Sequence, residues 1–202
     1  MDAPVLLDSC ARLFRLVHDD IERILFNESQ IAAGIGRVAE EITDAFGADE
    51  PTVVAVLKGS CVFVADLIRH LPIPLRLSFA WAESYRKGTT AGQLELLGLT
   101  SAEEVQDRRV LLVDDILDSG RTLFAIRREL LGRGAREVRT CVFLDKPVRR
   151  VMDIHPDHVC FEVDDLFVVG YGLDYAGRYR NLPYVGALKD HVLAAGGHGV
   201  RG

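Results

Sequence analysis

Three stretches, Thr52–Leu57 (TVVAVL), Val110–Val113 (VLLV) and Val138–Leu144 (VRTCVFL), are short, largely apolar and each closed by a polar cluster. Runs of this kind suit strands buried on both faces, the condition of a parallel sheet. Between them the spacing changes. Ile31, Ile35, Val38, Ile42 and Phe46 recur at helical intervals, as do Val64, Leu67, Ile68 and Leu71, and again Leu123, Ile126, Leu130 and Leu131. These are stripes on helices that face a core. Strand runs alternating with helical stripes predict an α/β domain with a mainly parallel sheet at 52–57, 109–113 and 138–144.

Residues 21–26 (IERILF) read as a further short strand, Asn27 or Ser29 as the cap of the first helix, and Gly47 as its stop. Gly34 and Gly36 fall inside that helix at a cost of about 1 kcal/mol each relative to alanine, which predicts close packing there. Pro74–Ala82 alternates loosely and runs into Glu83–Gly92, whose small and charged residues predict a flexible loop.

With 202 residues and 49% hydrophobic content, the chain is expected to be one globular domain with room for a subdomain. Its net charge of −6 argues against a broad surface for nucleic acid or anionic membrane, so any phosphate site must be local. Cys10, Cys61, Cys141 and Cys160 form no CxxC pair and no metal-like spacing with the six histidines, and they read as buried free thiols. No secretory pattern opens the chain, and no segment approaches the roughly 18 apolar residues of a membrane span, so a cytoplasmic location is expected. The glycine-rich end, 194–202, is expected to be a flexible tail.

Candidate chemistry concentrates in RRVLLVDDILDSGRTL, residues 108–123. The apolar run stops on Asp114 and Asp115, where a strand would leave the sheet, and Asp118-Ser119-Gly120-Arg121-Thr122 forms a polar turn before the next helix. A turn feeding a helix N-terminus at the carboxyl end of a parallel strand offers N–H groups and partial positive charge to an anion. Acids beside such a turn make sense when the ligand also carries hydroxyls, or a divalent cation. A phosphorylated sugar offers both. A second phosphate-competent turn, Lys58-Gly59-Ser60, follows 52–57, with Ser60 able to cap the next helix. Two bland readings compete: a solvated strand end, and a receiver-type phosphorelay domain with Asp153 as phosphoacceptor. The latter leaves 119–122 and everything before Arg108 without a role.

VLLVDDILDSGRTL resembles the phosphoribosyl pyrophosphate signature of type I phosphoribosyltransferases, in the form carried by the hypoxanthine-guanine enzymes. The resemblance implies a mainly parallel twisted sheet flanked by helices, about residues 30–145, with a small hood from about 146–188 plus N-terminal residues. It implies that Asp114 and Asp115 take the ribose hydroxyls, that Asp118, Ser119, Gly120, Arg121 and Thr122 hold the 5′-phosphate, and that Asp118 faces the base as general base. Lys58-Gly59 matches the family's pyrophosphate loop, often with a cis peptide before the lysine, and Ser84-Tyr85 matches its mobile lid. Thr90-Ala91-Gly92 departs from the usual two serines before the glycine. Lys146 would contact the exocyclic oxygen of the purine, Phe167 would stack on it, and Val168 would offer backbone groups to its edge. Asp174, with Asp114 and Asp115, would hold Mg2+, and Arg180 would meet pyrophosphate.

The implied activity is transfer of ribose 5-phosphate from phosphoribosyl pyrophosphate to hypoxanthine or guanine, by a homodimer or homotetramer that binds neither nucleic acid nor membrane. An RNA-binding pyrimidine-operon regulator shares the signature, but the acidic balance and the Lys146–Phe167 pair disfavour it. A purine repressor of this fold would need an added DNA-binding domain, for which the chain has no room.

Overall fold

The structure, a computed structural model, describes residues 19–85 and 93–195. In chain order its elements are β1 (Ile21–Phe26), α1 (Glu28–Phe46), β2 (Thr52–Leu57), α2 (Cys61–His70), β3 (Arg76–Tyr85), β4 (Gln93–Gly98), α3 (Ala102–Val105), β5 (Arg109–Leu117), α4 (Arg121–Gly132), β6 (Glu137–Asp145), a 3-10 turn at Pro147–Arg149, β7 (His158–Glu162), β8 (Val168–Val169), β9 (Val185–Leu188) and α5 (Asp190–Ala195). Among the described residues they form two compact units, one within 29–165 and the other from 19–28 with 166–195.

The larger unit holds a six-stranded sheet in the order β4-β3-β2-β5-β6-β7. Five strands are parallel, and only β4 runs against its neighbour. After β2 the chain moves outward to β3 and β4, then returns to β5 on the other side of β2. The strand order therefore reverses between β2 and β5, the place where open α/β sheets bind ligands. One face of the sheet packs Val54, Val56, Val110, Leu112 and Val142 against Leu123, Ile126 and Leu130 of α4. On the other, Phe143 lies 5.3 Å from Phe63 of α2 and 5.7 Å, edge-on, from Phe161 of β7. Phe63 and Phe143 are fully buried, which stabilises the unit by about 1.5–3 kcal/mol each.

The glycines of α1 divide. A Cβ on Gly34 would stand 2.5 Å from Phe161 Cζ, so the helix lies against β7 only because that side chain is absent. Gly36 has nothing within 4 Å, and no packing requirement is met there. Gly47, at φ +59°, closes the helix by donating its N–H to Thr43 O at 2.8 Å. The last turn of α1 has no basic residue of its own. Arg109 supplies the charge from β5, donating to Ala45 O at 2.9 Å and lying 4.5 Å above the Phe46 ring.

The smaller unit is a three-stranded antiparallel sheet, β1-β9-β8. Ile21, Val169, Tyr175, Tyr179, Leu182, Tyr184 and Leu188 form its core. Tyr179 donates its hydroxyl to Asp20 at 2.7 Å, and burial of the ring pushes the phenol up to about 12.

Several expectations change. Residues 146–165 were expected with the hood, but they go with the larger unit, because β7 pairs with β6 and residues 150–152 bond back to the turn after β5. β5 does not stop at Val113 but runs on to Leu117. Ser60 does not cap α2 with its side chain; its hydroxyl donates back to Val56 O at 2.6 Å. Cys61 is exposed on the first turn of α2, while Cys141 and Cys160 are buried as expected. Burial pushes both buried thiols up, Cys160 to about 12, which leaves them unreactive. Of the expected loop, 83–85 continue β3 and 86–92 lie outside the described residues, as does Cys10. Of the expected tail, 194 and 195 complete α5 and 196–202 lie outside the described residues. No helix among the described residues is long and apolar enough to cross a membrane.

Candidate active site

β5 pairs with β2 only as far as Val113, opposite Ala55, yet stays paired with β6 through Leu117, opposite Asp145. The sheet therefore splits after Val113, and Asp114 and Asp115 stand at the split. Asp114 is 7% exposed, and its Oδ1 accepts the Asp115 N–H at 2.9 Å; Asp115 Oδ1 in turn accepts the Ile116 N–H at 2.9 Å. Burial, reinforced by the Asp115 charge, holds the Asp114 carboxyl well above the usual carboxylate range. Two such acids side by side call for an external partner: hydroxyls to donate to them, or a cation.

Across the split, β2 ends at Leu57 and the Leu57–Lys58 peptide is cis. Gly59 then passes so close to Asp115 that a Cβ would stand 2.5 Å from its Cγ and overlap the carboxylate. Lys58 is exposed, with Nζ 5.2 Å from the centre of the Trp81 ring. The two turns singled out in the sequence are thus adjacent, one at the end of each strand flanking the split.

The turn after β5 is shaped by Gly120, at φ +81°, a conformation that disfavours side chains. A Cβ there would also meet Ile154 at 2.7 Å. α4 starts at Arg121, so the first-turn N–H groups of Arg121, Thr122 and Leu123 lack partners inside their own helix. Arg121 N–H reaches only Ser119 Oγ, at 3.5 Å, and Phe124 N–H is the first to bond back, to Gly120 O at 2.9 Å. Asp118 Oδ1 is buried and has no hydrogen-bond partner among the described residues. An acceptor left in that state needs a partner that the described residues do not supply. Lys146, at the end of β6, is 5% exposed. Its ammonium is 3.7 Å from Asp165 Oδ1, an oxygen that Arg149 Nε also holds at 2.5 Å. Burial presses the Lys146 pKa down, with Arg149 adding to it, while Asp118 and Asp165 pull against that shift.

The smaller unit carries the remaining expected residues. Phe167 is half-buried, its ring 5.1 Å from Tyr175 and edge-on to it. Val168 is in β8, paired with Ala187. Asp174 and Arg180 are tied to each other at 2.7 Å, and Arg180 also donates to Gly172 O at 2.6 Å. Gly177 N–H occupies the second Asp174 oxygen at 2.7 Å. Ser84 and Tyr85 are the last residues of β3, and Thr90-Ala91-Gly92 lie outside the described residues.

A family profile for the phosphoribosyl transferase domain matches residues 23–176. The chain belongs to the phosphoribosyltransferase family. The hypoxanthine-guanine phosphoribosyltransferase of Streptococcus mutans is 38% identical to it over 180 residues, which is 89% of this chain and 99% of that protein. The enzyme of the same name from Streptococcus thermophilus (strain CNRZ 1066) is 37% identical over 178 residues, 88% of this chain and 98% of that one. The crystal structure of a hypoxanthine phosphoribosyltransferase from Staphylococcus aureus matches with a TM-score of 0.82 at 35% identity, covering 88% of this chain and 96% of that chain.

In this phosphoribosyltransferase, sequence reading passed over Arg150. Its guanidinium pairs with Asp145 and donates to Asp118 O at 3.0 Å, Leu117 O at 3.3 Å and Ile154 O at 2.5 Å. The available signal was the arginine pair directly after Asp145-Lys146-Pro147-Val148, but adjacent arginines at a strand end are usually solvated.

Proposed function

We propose that the chain is a 6-oxopurine phosphoribosyltransferase of purine salvage. It transfers ribose 5-phosphate from phosphoribosyl pyrophosphate to hypoxanthine or guanine, giving the nucleotide and pyrophosphate. The observation that carries the reading is the split between β2 and β5, where Asp114, Asp115 and the unpartnered Asp118 Oδ1 stand beside the first turn of α4. Acids for ribose hydroxyls and N–H groups for a phosphate then lie at the ends of one strand and its turn.

Each residue takes the role that the family resemblance implies. The 118–122 turn cradles the 5′-phosphate, and Asp114 and Asp115 accept from the ribose hydroxyls. Lys58 and Gly59 serve the pyrophosphate, as does Arg180. Asp118 takes the N7 proton as the new bond forms at N9, and its unpartnered oxygen supports that part. Lys146 donates to the purine 6-oxygen, Val168 offers its backbone to the purine edge, Phe167 stacks on the ring, and Ser84-Tyr85 belong to a closing lid. The acids also fit Mg2+. Among the described residues no three His, Cys, Asp or Glu side chains form a metal cage, but magnesium is commonly held by one or two carboxylates together with substrate oxygens and water. Asp114 and Asp115, and Asp174, are the residues that would hold it, and it would neutralise charge on the departing pyrophosphate.

The enzyme is placed in the cytoplasm, with small molecules as its substrates. It acts as a homodimer or homotetramer, supported by Leu77, Phe79 and Trp81, which share one face of β3 and stay 39%, 45% and 40% exposed.

The test is a panel of bases with phosphoribosyl pyrophosphate and magnesium, followed by nucleotide absorbance. Hypoxanthine and guanine present a 6-oxygen to an ammonium and an N1–H to a backbone carbonyl. Adenine reverses both, leaving buried polar groups unpaired at about 1–3 kcal/mol each, so discrimination should reach on the order of 10³. Equal use of adenine would overturn the reading.

A further inference from the structure

A turn that gives its N–H groups to a phosphate must send its C=O groups elsewhere, and those carbonyls need donors of their own. Here a single segment supplies them. Leu117 O accepts from Lys146 N at 3.0 Å and from Arg150 Nη2 at 3.3 Å. Asp118 O accepts from Arg150 Nε at 3.0 Å. Ser119 O accepts from the N–H groups of Val151 at 3.0 Å and Met152 at 3.1 Å. The three carbonyls before Gly120 thus all accept from residues 146–152.

We infer that Arg150 is a positioning residue of this phosphoribosyltransferase: its guanidinium sets the phosphate turn with carbonyls turned back and N–H groups forward, and ties that turn to the end of β6. The inference rests on the reading of 118–122 as the 5′-phosphate cradle. One planar fork reaches acceptors in three segments, at Leu117 and Asp118, at Asp145, and at Ile154. Its side chain is 13% exposed, so water cannot readily replace those bonds. Lysine has the charge but not the fork, and could satisfy the Asp145 carboxylate without holding two successive carbonyls of the turn. Without the fork, Leu117 O keeps the Lys146 N–H, but the Asp118 carbonyl loses the Arg150 Nε bond and is free to rotate toward the ligand, where it would repel phosphate. Asp145 and Lys146 are adjacent, so the same contact also sets the phosphate turn against the residue proposed to read the base.

The experiment titrates ribose 5-phosphate and inorganic pyrophosphate separately by calorimetry, with magnesium, into the unmodified protein, Arg150→Gln and Arg150→Lys. Ribose 5-phosphate should bind about 10- to 100-fold more weakly to Arg150→Gln, and about tenfold more weakly to Arg150→Lys, as expected when a preorganised turn is released. Pyrophosphate, assigned to Lys58, Gly59 and Arg180, should change by less than about twofold, because the loss is confined to one cradle. In turnover, KM for phosphoribosyl pyrophosphate should rise while KM for hypoxanthine holds. Unchanged ribose 5-phosphate affinity would overturn the inference, and so would an equal loss for both ligands, since that marks general damage to the fold. If Arg150→Gln lacks a native circular dichroism spectrum, Arg150→Lys and Asp145→Asn carry the same pair of titrations to the same decision. An unmodified protein that fails to bind ribose 5-phosphate would sink the reading of the turn itself, and the inference with it.

Discussion

Replacing Gly59 by alanine tests the site at its tightest point. Gly59 is outside the left-handed region, so its backbone accepts alanine and only the contact with Asp115 opposes it. With the new Cβ 2.5 Å from Cγ, the Asp115 carboxylate has to swing away or the Lys58–Gly59 backbone has to retreat. Swinging away sacrifices the bond from Ile116 N–H at 2.9 Å. A bond to a charged acceptor is worth about 1.5–3 kcal/mol and a distorted rotamer costs about 0.5–1.5 kcal/mol, but water can reach the partly exposed group and recover a share, leaving a net loss of about 1–3 kcal/mol. The chemical consequence is larger. A carboxylate displaced by about 1 Å no longer meets the ribose hydroxyls, and a misplacement of that size costs up to about 10² in rate, or about 2.7 kcal/mol of transition-state stabilisation. The assay pairs kcat/KM for phosphoribosyl pyrophosphate, at saturating hypoxanthine and magnesium, with urea denaturation of the free protein. Gly36→Ala is the control: nothing lies within 4 Å of its Cβ position, so it should keep full activity and gain up to about 1 kcal/mol of helix stability. Gly59→Ala with kcat/KM within about threefold of the unmodified enzyme would refute the argument, because a contact this close would then have been relieved without moving Asp115.

Asp118→Asn should lower turnover by about 10²–10⁴ with little change in substrate binding, as for a lost general base; a loss below about fivefold would remove Asp118 from the proton transfer. Gly34→Ala forces a methyl group against the Phe161 ring and should cost about 1–3 kcal/mol of overpacking, partly offset by helix propensity, so urea midpoints for Gly34→Ala and Gly36→Ala should move in opposite directions. Asp114→Asn should raise the melting temperature of the free protein at neutral pH while weakening its hold on phosphoribosyl pyrophosphate. Burial raises the Asp114 pKa, so the folded chain binds its proton more tightly than the unfolded chain does. Stability therefore falls as pH rises from about 4, the unfolded value, to the raised folded value. The asparagine variant lacks this loss, and its advantage should shrink as pH is lowered; an advantage independent of pH would show that titration of Asp114 is not its source.

Three strands of the sheet, β2, β5 and β6, were legible because a parallel sheet buries both faces, which leaves the largely apolar runs at 52–57, 110–113 and 138–144, whereas β3, β4 and β7 carry no such run. The extension of β5 past Val113 was not legible, since Asp114 and Asp115 carry the composition of a strand end while their backbone still pairs with β6. Local pattern reports the burial of side chains, and here only one neighbouring strand had departed. Gly34 and Gly36 looked equivalent in sequence, and only the position of Phe161, more than a hundred residues away, separates them. The turn at 118–120 and the helix start at Arg121 could be read from one motif, because both are local. Arg150 could not, because its bonds reach back over 32 and 33 residues to carbonyls that carry no side-chain signature.

Most of the exceptions to ordinary folding chemistry in the larger unit gather at one place, although His158 in β7 also buries both ring nitrogens without a hydrogen-bond partner among the described residues. Other polar groups follow the usual rules: Arg109 neutralises Glu137 and Asp49 while capping α1, and Thr140 and Asp157 satisfy one another at 2.9 Å. At the ends of β2 and β5 the chain instead keeps a buried acid beside a second acid, leaves an Asp118 oxygen without a partner, and admits no side chain at Gly59 or Gly120. Each of these disfavours the free protein, and each could be removed by a single substitution. Arg150, by contrast, spends its fork on holding the turn in the form that leaves its N–H groups forward. A chain that stabilises an otherwise unfavourable arrangement with a buried guanidinium is organised around what the arrangement binds, and a ligand that brings phosphate to the turn, with hydroxyls or a divalent cation for the acids, would satisfy both together.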